Sequence, residues 1–94
     1  MNECRFAATA EGLALSGELC FSTASAAYEE GLRLLHARPA LRIDVAAVTT
    51  IDSAGIAVLL AWRAATFADG KAPSISGMPD KAKALARVGG VLDL

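Results

Sequence analysis

The side chains able to do chemistry are few, and most fall in one stretch, Thr49-Thr50-Ile51-Asp52-Ser53-Ala54-Gly55. The run Ile56-Ala57-Val58-Leu59-Leu60 follows it, so the stretch reads as a loop that delivers small polar residues to the start of an apolar helix. Asp52 or Ser53 is the natural cap, because a short side-chain oxygen accepts a hydrogen bond from the free N–H groups of the first turn. The same N–H groups make the helix start at Ser53 a position where an anion could bind. Gly55 lets another surface approach closely. Elsewhere the material for catalysis is thin. His36 stands alone on a solvated helix face near a C-terminus, where a cation is mildly favoured. Glu18 and Asp44 read as strand residues on a polar face rather than as an acid–base pair. Cys4 and Cys20 lie outside any metal-ligand spacing, and the hairpin expected between them would not pair them. No nucleophile motif or phosphate loop is present. The sequence therefore predicts no catalytic residue, no metal and no cofactor.

Several elements must position that stretch. Cys4–Thr9 is a weak strand, and Ala10-Glu11-Gly12 a turn. Leu13–Leu19 is a clear strand, with Leu13, Leu15, Gly17 and Leu19 alternating against Ala14, Ser16 and Glu18. A helix follows, with Ser22 as its cap and Phe21 folded back on its first turn. Ala24, Ala27, Tyr28, Gly31, Leu32 and Leu35 form its buried stripe, and Glu29–Arg33 an i,i+4 pair on the far side. Pro39 ends it. Leu41–Val45 is the next strand, with Leu41, Ile43 and Val45 on one face. The helix after the central loop is predicted to run to about Asp69, apolar at Ile56, Leu59, Leu60 and Phe67, with Trp62 partly buried. Ser74–Ser76 is a short strand, and Asp80 caps a last helix with Ala82, Leu85 and Val88 inward. Gly89-Gly90 ends that helix, and Val91–Leu94 is a candidate final strand. The order is that of an α/β fold, a mixed sheet of four or five strands with helices packed on it. Right-handed crossovers make the strands at 13–19, 41–45 and 74–76 parallel, so the loops 19–22, 49–53 and 77–80 should meet at one sheet edge, where ligands and partners of such sheets bind.

Composition narrows the partners. The 94 residues suggest one domain over 1–94. The chain is 54% apolar, but 21 of its residues are alanine, which favours tight helix packing over a bulky core. Formal net charge is −1, from 9 basic and 10 acidic residues with no basic block, which argues against nucleic acid. The longest uncharged runs, Leu19–Tyr28 and Ser53–Trp62, are about half the length of a membrane span, which needs about 20 residues. With Glu3 and Arg5 near the start and no apolar signal region, the expected location is cytoplasmic.

Four segments together resemble a STAS domain, over nearly the whole chain. They are Leu13-Ala14-Leu15-Ser16-Gly17-Glu18-Leu19, Leu41-Arg42-Ile43-Asp44-Val45, Ile51-Asp52-Ser53-Ala54-Gly55-Ile56-Ala57-Val58-Leu59-Leu60, and the closing Ile75-Ser76-Gly77 with Leu85-Ala86-Arg87-Val88. The third, similar to the family's Asp-Ser/Thr-x-Gly-Leu-x-x-Leu-Leu signature, is the most specific. The opening strand and the Ala-rich helix after the signature resemble the MlaB branch most. That resemblance implies a small non-catalytic cytoplasmic subunit, held at the inner membrane by the ATPase of a phospholipid-transport ABC system that maintains outer-membrane lipid asymmetry. The implied partner-binding residues are Thr50, Asp52, Ser53 and Gly55. The alternative branch, anti-sigma factor antagonists, resembles Asp-Ser-Ser-Gly and is phosphorylated by an anti-sigma kinase on the second hydroxyl residue. Here that position is Ala54. Ser53 lies one residue early, about 100° around the helix, so efficient phosphorylation of Ser53 is not expected. A third reading is a small-ligand or nucleotide domain using the helix start at Ser53 as an anion site.

Overall fold

The structure is a computed structural model that describes residues 3–67 and 70–88, Val88 by its backbone alone. Its elements are β1 (Cys4–Ala8), β2 (Gly12–Leu19), α1 (Ala24–Ala37), β3 (Arg42–Ile51), α2 (Ser53–Ala65), β4 (Ser74–Ser76) and α3 (Asp80–Val88). The sheet order is β1-β2-β3-β4. β1 pairs antiparallel with β2, Phe6 opposite Leu15, and the other two pairings are parallel, Leu13 opposite Ile43 and Ile43 opposite Ile75. This is the expected mixed α/β sheet, with four strands among the described residues. The candidate fifth strand at Val91–Leu94 and the helix stop at Gly89-Gly90 lie outside them.

β3 is twice as long as its sequence pattern suggested. Its pairing with β2 shifts between Ala14 and Ser16 and again between Gly17 and Glu18, each time with one extra residue on the β3 side. Such bulges break the two-residue period. The buried positions are therefore Ile43, Val45 and Val48, while Ala46 and Ala47 are both exposed. Thr49, Thr50 and Ile51 belong to the strand, not to a loop. Leu41 is not on the inner face; its side chain is 75% exposed. Its backbone joins three segments instead, donating to the Glu11 carbonyl at 2.8 Å and accepting from Ser74 N–H at 3.0 Å.

The core lies between the sheet and the helices, and Trp62 is its largest side chain, completely buried rather than partly so. The Phe6 ring meets it edge-on at 5.8 Å. Its indole N–H donates to the Tyr28 carbonyl at 3.0 Å, which satisfies the one polar atom the burial strands. Gly31 of α1 lies directly against the indole, where a Cβ would collide with the ring. The alanine-rich helices approach closely at this point because α1 offers no side chain there.

All three helices differ from expectation in detail. Arg33 pairs with Glu30, at 2.8 Å, not with Glu29. α2 stops at Ala65, short of Asp69, where the Thr66 hydroxyl turns back to the Trp62 carbonyl at 2.6 Å; Phe67 is 61% exposed beyond it, and Asp69 is outside the described residues. Asp80 is the first residue of α3 rather than its cap. Ala82 and Ala86 face the core, whereas Leu85 is 40% exposed. The i,i+4 alanine pair lets α3 sit close to its neighbours, and Leu85 at i+3 falls on its flank. The side chain of Val88 is outside the described part.

Candidate functional site

β3 passes into α2 through a single residue, Asp52. Its backbone is extended (φ −113°, ψ −171°), which is what an N-cap requires, and its Oδ1 accepts the Gly55 N–H at 3.0 Å. The second carboxylate oxygen, Oδ2, accepts the Phe21 N–H at 2.9 Å. One side chain thus caps α2 and ties down the turn between β2 and α1. Burial by itself would raise the carboxyl pKa. The N–H groups of Gly55, Phe21 and Ala54 outweigh it and hold Asp52 below its ordinary value.

That turn, Cys20-Phe21-Ser22-Thr23, is built differently from expectation. Thr23, not Ser22, precedes α1, and its hydroxyl faces away from the helix. It accepts the Cys20 N–H at 3.0 Å and donates to the Glu18 carbonyl at 2.9 Å. With Thr23 holding the turn from inside and Asp52 from outside, Phe21 does not fold back on α1. It projects into solvent, 85% exposed. The Cys20 thiol is buried within 3.3 Å of the Ser22 hydroxyl, and hydrogen bonds from Ser22 and then Thr23 pull its pKa down against the opposing effect of burial. Half-buried Cys4 is pushed up to about 11, because burial disfavours its thiolate. Both cysteines are free.

Ser53 is exposed as the first residue of α2, and Thr50 is exposed on β3 opposite Glu18. Gly55 corrects the expectation that its missing side chain serves an approaching partner. It is buried, and a Cβ there would run into the carbonyl of Leu19 in the same chain. Its close approach is internal, the seat of α2 on the end of β2. The three expected loops reduce to two. Gly77 lies against Ala46, and β4 pairs with β3 only at Arg42–Asp44. β3 then runs seven residues further, roughly 20 Å at strand spacing. Glu18 and Asp44 sit at separate registers, opposite Thr50 and Ala14, so they form no carboxylate pair. His36 is exposed in the last turn of α1. No metal-binding group of side chains occurs among the described residues.

Sequence reasoning missed a groove beside Asp52 and Ser53. Phe21, Ala24, Ser25 and Tyr28 form one wall, and Ala54, Ala57, Val58 and Ala61 the other, around about 600 Å³. Its signal was in the sequence. α2 carries a second apolar stripe, 54-57-61, beside the core-facing 55-56-58-59-62, with Val58 at the border of the two, so the helix is apolar all round from Ala54 to Trp62. A helix of that kind covers a second surface or is covered by one.

Residues 4–94 match the family model described as Mlab, STAS domain. The chain belongs to the STAS domain family, on its MlaB branch. The match takes in every element described above and the Ile51–Leu60 signature. A search of curated proteins finds no match. STAS domains are generally non-catalytic and serve regulation or transport. This one has no helix long and apolar enough to cross a membrane among its described residues.

The double role of Asp52 in this STAS domain has a measurable pH signature. A carboxylate whose folded pKa lies below its unfolded value stabilises the fold above the unfolded pKa. That stability is lost as pH falls through the folded pKa. Asp52→Ala is expected to cost about 0.5–2 kcal/mol at neutral pH, the worth of an N-cap, and the deficit should shrink in acid below the ordinary Asp pKa. Urea unfolding of both proteins from pH 7 downward checks this; a deficit independent of pH would mean that the carboxylate charge contributes nothing.

Proposed function

We propose that this STAS domain is a non-catalytic cytoplasmic subunit that docks on, and supports, the ATPase of an Mla-type phospholipid-transport ABC system. It would be peripheral to the inner membrane through that partner and would serve outer-membrane lipid asymmetry. One observation carries the reading: an uncharged groove, with a fully projecting Phe21 at its mouth, opens directly beside Asp52 and Ser53, the signature residues through which the MlaB branch resembles a partner-binding subunit. Phe21 and the small side chains of α2 supply an apolar contact centre, and Thr50, Ser53 and the rim of α1 supply its polar edge, the usual anatomy of a specific interface. Asp52 acts by holding both walls in place. Gly55 acts by seating α2.

The test is co-purification of the chain with the ATPase subunit encoded beside it. Ser53→Arg, on the exposed first turn of α2, is expected to abolish co-purification while circular dichroism stays that of the wild type. Full retention of binding by a folded Ser53→Arg protein would place the docking surface elsewhere. A wild-type chain that binds no such ATPase would remove the function itself.

The exposed hydroxyl of Ser53 supports a second reading, an anti-sigma factor antagonist. Ala54, at the position where the family's acceptor hydroxyl stands, weighs against it. Stoichiometric phosphate on Ser53 after incubation with a cognate anti-sigma kinase, read by mass spectrometry, would favour this second function over the first.

A further inference from the structure

The cations of this nearly neutral chain differ in how they are engaged. Residues 3–67 hold seven carboxylates and five arginines. Each of those arginines is engaged by its own chain. Arg5 pairs with Glu3 at 3.3 Å, Arg33 with Glu30 at 2.8 Å and Arg42 with Glu11 at 3.4 Å. Arg38 donates to the Thr9 carbonyl at 2.8 Å and Arg63 to that of Pro73 at 3.0 Å. Residues 68–94 of the sequence hold the other four cations, Lys71, Lys81, Lys83 and Arg87, and three carboxylates, Asp69, Asp80 and Asp93. Three of the four, Lys81, Lys83 and Arg87, project from α3, all exposed and without an ion pair among the described residues. Exposed Ala84 lies between them with Leu85 on the flank, and α3 turns only Ala82 and Ala86 into the core.

We propose that the outer face of α3, carrying Lys81, Lys83 and Arg87 around Ala84, is a contact surface for anionic phospholipid headgroups. Lysines and arginines on an exposed face are drawn to the phosphates of an anionic leaflet, giving an attachment that salt weakens. The chemistry of the face favours lipid over protein. Protein interfaces are depleted in Lys and anchored by aromatic residues and Arg, and α3 offers two lysines, one arginine and no aromatic side chain. It also disfavours nucleic acid, whose binding rests on several phosphate contacts along one strand path, beyond what three cations on a nine-residue helix provide. A bilayer asks for no such register. This surface does not use the groove or Ser53, so its fate is separate from that of the ATPase reading.

The test uses the isolated full chain and two vesicle preparations, pure phosphatidylcholine and phosphatidylcholine with about one-third phosphatidylglycerol, in sedimentation at low and high salt. Each cation near an anionic leaflet contributes about fivefold to partitioning. The wild type is expected to partition at least about tenfold better onto the anionic vesicles and to be released by high salt. The triple variant Lys81→Glu, Lys83→Glu, Arg87→Glu should lose that preference entirely, with its circular dichroism unchanged. Lys81→Gln with Lys83→Gln, the milder pair, should lower it severalfold. Equal partitioning of the wild type onto both vesicles overturns the proposal, as does anionic preference that survives charge reversal. Loss of ATPase co-purification by the triple variant, without wild-type binding to vesicles, would reassign the face to a protein contact and overturn it too.

Discussion

Trp62→Ala is expected to remove a large part of the protein's stability and to lower its urea midpoint sharply. Removing a large buried aromatic side chain costs about 3–5 kcal/mol, and a domain of this size has only about 5–15 kcal/mol in total. Trp62 stands toward the high end of that cost for three reasons. It is fully buried, it is the largest side chain of the core, and it joins β1, α1 and α2 through Phe6, Tyr28 and Gly31. The space it leaves is bordered by alanine-rich helices that have little side chain with which to fill it. Gly31→Ala attacks the same contact from the other side. A Cβ there would meet the indole ring, and overpacking of this kind costs about 1–3 kcal/mol. The two changes should therefore not add. In a Trp62→Phe background, where the smaller ring withdraws from α1, Gly31→Ala should cost less than it does in the wild type. Urea unfolding of the two single variants and the double variant measures the coupling. Strict additivity would show that the ring does not press on Gly31.

The elements that were legible in the sequence are those with an unbroken period. Leu13, Leu15 and Leu19 alternate without interruption, and β2 follows them. The helical stripe from Ala24 to Leu35 gives the buried face of α1, and Asp52 before an apolar run gives the cap of α2. What could not be read depends on long-range partners. The two bulges of β3 exist only in its pairing with β2, so its second half looked like a loop. Leu41 looked like an inner-face residue because nothing local shows that its backbone is taken up by Glu11 and Ser74. Leu85 and Ala86 compete for the inward side of α3, and the closeness of the neighbouring elements decides for the smaller one. Phe21 is the most instructive case. Its local pattern is that of a residue folded back on a helix start, and it is reversed where Thr23 holds the turn and the Phe21 N–H donates to the carboxylate of Asp52, 31 positions away. The candidate site was thus half legible. Asp52 and Ser53 were visible as a capped helix start, whereas the groove needed α1 and α2 side by side.

Phe21→Asp is expected to damage docking severely while leaving the fold intact. The side chain contributes little to the domain, since it is 85% exposed, and the hydrogen bond that fixes the turn uses its backbone N–H, which the variant keeps. Stability should change by no more than about 0.5 kcal/mol, as for other surface positions. Binding should respond very differently. An aromatic side chain at the mouth of an apolar groove, bordered by small residues that exclude water, is the arrangement of an interface hot spot, where truncation costs about 2–4 kcal/mol. Placing a carboxylate there adds the cost of burying an unpaired charge. The expected result is a loss of affinity for the ATPase of more than about a hundredfold, carried mostly by faster dissociation. Phe21→Leu, which keeps an apolar side chain, should lose much less. Immobilised ATPase and a concentration series of the wild type and both variants give the three affinities, with circular dichroism as the control. Equal affinities for wild type and Phe21→Asp would mean that the projecting ring and its groove lie outside the interface, and the docking surface would then have to be sought on the open face of the sheet.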